Sequence, residues 1–403
     1  MKHNKWMCLL AASVVVTACG ANQSAKEHQS SSAQAQQSQI EPNNLNPQQD
    51  VKAAHPAIQQ PYLTEKIAQF DEPWALATLP NNQLLITQKK GQLILFDPVQ
   101  KTKVSVAGVP EVAYAGQGGL GDVALHPNFA ENQLVYLSYA EKDAQQRLGA
   151  VVVRARLDTS NIKQPRLQSI ERIWQQVPKV TGAGHYAHRI LFDQQGKLWI
   201  SSGERQKFDP AQDLKSNLGK IVHLNADGSP VANNPFYAQG GVSAEIWSLG
   251  HRNPLGIAFD AKQQLWVVEM GPQGGDELNR VVRGENYGYP LVSNGDHYNG
   301  DPIPDHHTRP EFKAPELDWT PVISPSSMLI YQGQQFPAWK DHAIIGGLSS
   351  KAIIVVNLQT PVQEVQRLEM GQRIRAVVPD TDGSIWVLED GSNANLLKLK
   401  APK

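Results

Sequence analysis

Beyond residue 62 the chain is a succession of short apolar runs of about four to seven residues, separated by Asp-Gly, Asn-Gln and Gln-Gly turns. Val, Ile, Leu and Trp dominate the runs, and helical periodicity is nearly absent, so the pattern predicts strands. The runs pair into hairpins at 84–86 with 93–96, 122–127 with 134–137, 189–200, 256–260 with 265–268, 327–331 with 343–346, and 374–378 with 382–387. Further apolar runs at 151–156, 220–225, 352–358 and 396–400 follow most of them. Copies spaced by roughly 50–65 residues, each worth about four strands, predict an all-β, six-bladed β-propeller. A single blade cannot bury both of its faces, so neighbouring blades must stack. Two sandwich domains would need a linker that the pattern does not offer, and the spacing is too long for a solenoid coil.

One connection, residues 283–324, is long and carries Gly, Asn, Tyr, Pro and His. Loops of that length in a compact domain are usually functional, so this one is expected to hang over one rim. The third hairpin is the most informative stretch. It opens on Gly184-His185-Tyr186-Ala187-His188-Arg189, turns at Asp193-Gln194-Gln195-Gly196-Lys197, and ends on Gly203-Glu204. A hairpin brings its far ends together, so His185 and Glu204 are expected side by side at one rim. A histidine oriented by a carboxylate is a minimal general-base pair.

The 403 residues carry a formal charge of −1, and no basic run is interleaved with aromatics, so nucleic acid is not an expected partner. Residues 1–18 read as an export signal: Lys2 and Lys5, then a short apolar core, then Val16-Thr17-Ala18 before Cys19. Small residues before a cysteine resemble a bacterial lipobox, which implies a lipid anchor on Cys19 and a location on the periplasmic side of the cell envelope. Residues 19–61 are rich in Gln, Ser, Ala and Asn and read as a disordered tether, with the folded domain at 62–403. Cys8 and Cys19 are the two cysteines, so the part after the tether has no disulfide and no cysteine-based metal site.

The loops at the strand ends hold Gln117, His185, Arg252, Arg373 and Arg375. If the six blades run alike, these share one rim, and three guanidinia with few acids among them suit a polyanionic ligand held through carboxylates or phosphates. The bland reading is that each arginine pairs with a local acid. His185 and His188, three apart, make a poor zinc site without cysteines. His126, before Pro127, reads as a structural turn residue.

Together, Gln117-Gly118-Gly119-Leu120, His185 with Arg189, Arg252-Asn253-Pro254, Gly271-Pro272 with Gly275-Asp276-Glu277, Asn286-Tyr287-Gly288 and Arg373-Ile374-Arg375 resemble the soluble pyrroloquinoline-quinone (PQQ)-dependent sugar dehydrogenases. The match is with the aldose sugar dehydrogenase branch of the glucose/sorbosone dehydrogenase family, from about residue 62 onward. The resemblance implies a six-bladed propeller that oxidises the C1 hydroxyl of aldoses, with PQQ and Ca²⁺ as cofactors and a quinone or cytochrome as electron acceptor. It implies His185 as general base, supported by Glu204, with Arg252 beside the reacting quinone. It implies cofactor contacts from Gln117, Arg252, Asn253, Tyr298, Arg373 and Arg375, with Trp319 near a family aromatic. It implies calcium at the carbonyls of Gly271 and Pro272, and a second calcium at Glu277 and Tyr287. Three positions depart from the pattern: Ser349 stands where the family usually has lysine, Gly184 where the glucose enzymes have an acid, and Met270 where a polar residue is usual. A non-catalytic rim-binding lipoprotein and a calcium-dependent lactonase are the competing functions.

Overall fold

The computed structural model describes residues 62–402. The signal, Cys19 and the tether lie outside the described residues. Six four-stranded antiparallel sheets account for the domain. The first strand, β1 (Leu63–Phe70), belongs to the last sheet. Blade 1 is β2 (Pro73–Thr78), β3 (Leu84–Gln88), β4 (Gln92–Asp97) and β5 (Thr102–Ser105). Blade 2 is β6 (Leu120–Leu125), β7 (Leu134–Lys142), β8 (Leu148–Asp158) and β9 (Arg166–Gln175). Blade 3 is β10 (Ala187–Phe192), β11 (Leu198–Ser202), β12 (Lys220–Leu224) and β13 (Ile246–Leu249). Blade 4 is β14 (Pro254–Phe259), β15 (Leu265–Glu269), β16 (Asp276–Arg280) and β17 (Leu317–Trp319). Blade 5 is β18 (Pro325–Ile330), β19 (His342–Gly347), β20 (Ala352–Asn357) and β21 (Gln363–Glu369). Blade 6 is β22 (Ile374–Pro379), β23 (Ile385–Glu389) and β24 (Ala394–Lys400), completed by β1, which pairs with β24 from Leu63↔Lys400 to Phe70↔Ala394. This pairing of the two ends closes the ring and protects what would otherwise be an open edge.

The core is not central. It lies between blades, because each sheet buries both faces and successive side chains on a strand point opposite ways. Leu85 packs with Leu137 and Val153 of blade 2, whereas its neighbours Leu84 and Ile86 pack with Trp386 and Leu388 of blade 6. Ile344 faces Val387 of blade 6, and Ile345 faces Val268 of blade 4. This is why the strands read as continuous apolar runs.

Two expectations are corrected in detail. The hairpin at 84–86 and 93–96 is the second and third strand of its blade, and the innermost strand, β2, precedes it. Its sequence, Pro-Trp-Ala-Leu-Ala-Thr, is masked by alanines and a proline. Within residues 283–324, the connection contributes β17, the outermost strand of blade 4.

The axis is pinned by Arg189 on β10. Its Nε donates to the Leu255 carbonyl (2.7 Å), Nη2 to the Ser326 carbonyl (2.5 Å), and Nη1 to Asp122 (3.3 Å), while its guanidinium stacks 3.9 Å from the Trp74 ring centre. One side chain therefore ties together blades 1 to 5. Burial pushes its pKa down to about 10, with Asp122 opposing that shift.

Candidate active site

The hairpin β10–β11 builds the central pair. At its turn, Asp193 N–H donates to the Lys197 carbonyl (3.0 Å), with Gly196 at φ 71°. At its other end the register slips between Ala187 and Ile190. There His185, Ala187 and His188 all take positive φ, at 49°, 53° and 57°. Non-glycine residues rarely adopt this conformation, and three of them within four positions mark a strained loop held by its surroundings. Gly203 permits the close approach: a Cβ there would lie 2.0 Å from the His185 carbonyl oxygen.

The loop sets His185 Nδ1 2.5 Å from Glu204 Oε1. Gln117 Oε1 accepts the His185 backbone N–H (2.7 Å). The other oxygen of Glu204 accepts the N–H groups of Lys207 (2.5 Å) and Phe208 (2.9 Å). Glu204 is fully buried, which by itself would raise its pKa. The bond to His185, the Phe208 amide and the Arg252 charge outweigh burial and hold it below the usual carboxylate value. For His185, burial and then the Arg252 cation outweigh the pull of Glu204 and push the pKa down to about 4. The imidazole is therefore neutral at neutral pH. An ionised carboxylate only accepts, so the proton sits on Nδ1 and Nε2 carries the free lone pair.

Arg252, in the loop before β14, is 4% exposed. Its Nη1 donates to the Met270 carbonyl (3.1 Å) and Nη2 to the Tyr298 hydroxyl (3.3 Å). Among the described residues its Nε has no partner, and neither has Oδ1 of the neighbouring Asn253, whose amide faces Met270 Sδ at 3.8 Å. His185, Glu204, Arg252 and Pro272 line one cavity of about 390 Å³. Gln206, Phe208, Tyr289, His297, Tyr298, Asn299 and Asp301 complete its wall. All of these but Gln206 and Phe208 come from the long connection, which hangs over this rim as its length suggests. Tyr298 is 73% exposed, at the mouth.

The loop after β15 is tightly wound. Gly271 N–H donates to Asp276 Oδ1 (2.8 Å), and a Cβ at Gly271 would lie 2.3 Å from the Gly274 carbonyl oxygen and 2.2 Å from that of Gly275. Asp276 is pushed up to about 6 by burial, against the Gly271 and Ser324 amides. Behind it, burial and the nearby Glu269 push Glu277 well above the usual range. Asn279 donates to both carboxylates (3.0 and 3.1 Å), and His306 Nδ1 stands 4.0 Å from Glu277. The Tyr287 hydroxyl is spent on Arg280 and Val282 of the backbone, and its carbonyl faces His306 Nε2 at 3.1 Å.

The remaining residues fall elsewhere. Arg373 and Arg375 both pair with Asp390 (2.8 Å each), so the expectation of guanidinia with few acids holds for Arg252 but not for these two. They are not part of the cavity wall. Ser349 Oγ donates to the Val322 carbonyl (3.2 Å), and Trp319 is buried between blades 4 and 5 with Nε1 on Glu364 (2.9 Å); neither reaches the cavity. His126 accepts the Asn128 N–H, as a turn residue should. His185 Nδ1 is engaged by Glu204, and His188 Nδ1 faces Ser138 Oγ at 2.7 Å.

Residues 70–398 match the model of the glucose/sorbosone dehydrogenase family. The chain belongs to this family. It is 38% identical to the aldose sugar dehydrogenase YliI of Escherichia coli over 339 residues, which is 82% of this chain and 90% of that one. The apo crystal structure of the soluble E. coli aldose sugar dehydrogenase superposes with a TM-score of 0.79 at 36% identity, covering 85% of this chain and all of the other. The PQQ-bound aldose sugar dehydrogenase of Streptomyces coelicolor gives 0.69 at 26% identity, covering 86% and 99%.

Gln206, Phe208, Tyr289, His297, Asn299, Asp301 and Arg205 were not legible in the sequence of this family member. All but Arg205 stand in the cavity wall, the four after Tyr289 inclusive within a loop whose length was the only signal. Arg205 follows Glu204 directly, but its burial is a tertiary fact.

Proposed function

We propose that this chain is a PQQ-dependent aldose sugar dehydrogenase that oxidises the C1 hydroxyl of aldoses to lactones. The observation that carries the reading is a neutral histidine, fixed by a fully buried carboxylate, in the wall of a cavity that also holds an incompletely paired arginine. When bound, PQQ supplies the acceptor for the hydride leaving C1, and calcium supplies a Lewis acid beside it.

The chain's own residues fit these groups. The unpartnered Nε of Arg252, a residue of the cavity wall, and the unpartnered Oδ1 of the adjacent Asn253 offer a donor and an acceptor. Backbone carbonyls are hard oxygen ligands, and in this reading those of Gly271 and Pro272, in the tightly wound loop that brings Pro272 to the cavity, are the calcium ligands. Glu277, with the Tyr287 carbonyl, is the second candidate: its buried carboxylate shares the Asn279 amide with Glu269 and lies near His306. Arg373, Arg375 and Gln117 extend the cofactor contacts around the rim, with Ser349 and Trp319 left without a visible role.

His185 Nε2 accepts the C1 hydroxyl proton as the hydride departs, so proton and electron pair leave the sugar together and the carbon becomes a lactone carbonyl. Glu204 holds the ring and stabilises the imidazolium that forms. Arg252 stabilises negative charge developing opposite. The polar rim of His297, Asn299 and Asp301 is suited to sugar hydroxyls. The lipobox-like sequence supports a lipid-anchored envelope protein. The test is reconstitution with PQQ and calcium, a panel of aldoses, and an artificial electron acceptor. Acceptor-dependent turnover is expected. Hydrolysis without acceptor, or no turnover on any sugar, would replace this reading with a lactonase or a binding protein.

A further inference from the structure

Arg205 carries a guanidinium that is completely buried. Among the described residues it has no carboxylate within ion-pair distance, and two of its donors, Nε and Nη1, have no partner. The hydroxyl of Tyr186, against whose ring it stacks at 3.7 Å, is also unpartnered. An uncompensated buried cation is costly, so its retention calls for a reason. Its contacts supply one. Nη2 donates to the Gly182 carbonyl (2.7 Å), and the plane lies on Tyr186. The backbone N–H of Arg205 donates to the His185 carbonyl (3.3 Å). One residue thus grips the His185 loop before, at and after the histidine, and it follows directly on Glu204. Arg205 itself takes φ 63°, as do its neighbour Gln206 (57°) and Phe208 (61°). The strained loops on both sides of the pair are locked to each other through this side chain.

We propose that Arg205 is a positioning residue for His185: it clamps the loop that presents the imidazole to Glu204 and holds a buried guanidinium within that loop. It rests on the dehydrogenase reading for its catalytic consequence only. The groups that face His185 are Glu204 and Arg205 from the end of β11, Arg252 from the loop before β14, and, across the cavity, Tyr289, His297, Tyr298 and Asp301 from the long connection. Glu204 is the anion that favours protonation. Arg205 joins Arg252 in opposing it.

The test separates clamp from charge. Selective ¹³C labelling of histidine, with His185→Asn for assignment, follows the His185 resonance through pH in the protein without cofactor. Arg205→Met removes both roles. The His185 midpoint should rise, and sugar oxidation by the reconstituted enzyme should fall by roughly tenfold or more in kcat with little change in KM. Arg205→Lys keeps a charge but loses the planar stack and the reach to Gly182. Its midpoint should stay near wild type while kcat falls. Should Arg205→Met fail to fold, Arg205→Lys and Tyr186→Leu, which removes the stacking face, carry the test. An unmoved midpoint in Arg205→Met, or wild-type kcat in Arg205→Lys and Tyr186→Leu, overturns the proposal. Absence of any sugar oxidation in the wild type would instead sink the dehydrogenase reading and leave the titration to decide this one.

Discussion

Glu204 and Arg252 are joined through the backbone: the N–H of Glu204 donates to the Arg252 carbonyl at 2.9 Å, across the boundary between blades 3 and 4. The two groups that set the protonation of His185 from opposite sides are therefore held at a fixed separation. Arg252 is fixed in turn by its own N–H, which donates to Glu269 Oε2 (2.6 Å), and Glu269 also holds His251 Nδ1 (2.8 Å). Preorganisation of this kind lets charges act on a reaction without moving during it.

Replacing His185 by Ala should lower kcat by about 10²–10⁴, the usual weight of a general base, while PQQ binding persists. Dye-linked oxidation of an aldose, together with a PQQ titration, measures both. A loss below about threefold would refute the base assignment.

With His185 as the proposed base, its pKa of about 4 is expected to set the acid limb of the pH profile. Only the neutral ring accepts a proton, so kcat/KM should be level near neutrality and fall about tenfold per unit below pH 4. Glu204 raises the His185 pKa, so Glu204→Gln should move the limb to lower pH. It should also cut the plateau by roughly 10²-fold, because a weaker and less well oriented base remains. A limb that moves upward contradicts the assignment.

Arg252→Lys retains charge but not the planar fork that reaches Met270 and Tyr298. PQQ affinity in equilibrium titration should weaken by about tenfold or more, with kcat also reduced. Unchanged affinity and rate would place the cofactor away from this guanidinium.

Calcium and Glu277 give a crossed prediction. Chelation should abolish activity and lower the melting temperature, and added calcium should restore both. Glu277 is raised well above its usual pKa by burial and Glu269, so its charge is a burden when no cation is bound. The calcium-free Glu277→Gln protein should melt no lower than calcium-free wild type, yet gain less on adding calcium. Equal gains in both would remove Glu277 from the calcium ligands.

Arg189→Met should destabilise the ring by about 3–5 kcal/mol in denaturant unfolding, because it strands Asp122 and frees the carbonyls of Leu255 and Ser326. Adding Asp122→Asn should recover part of that loss by removing the stranded charge.

The strand pattern, the six repeats and the pairing of His185 with Glu204 were legible in the sequence. Strand alternation and hairpin geometry are local physics, and a hairpin of known turn must bring its ends together. The fourth strand of blade 4 and the innermost strand of blade 1 were not, since β17 is three residues long and β2 is diluted by alanine. Only the tertiary structure decided which charges meet. It gave Arg373 and Arg375 a common acid, left Arg252 incompletely paired, and sealed Arg205 beneath the histidine loop. Burial and through-space charge depend on residues dozens of positions apart, and no local pattern encodes them. The chain alone specifies the ring and its hairpins; closure of the ring determines the protonation of what stands at its mouth.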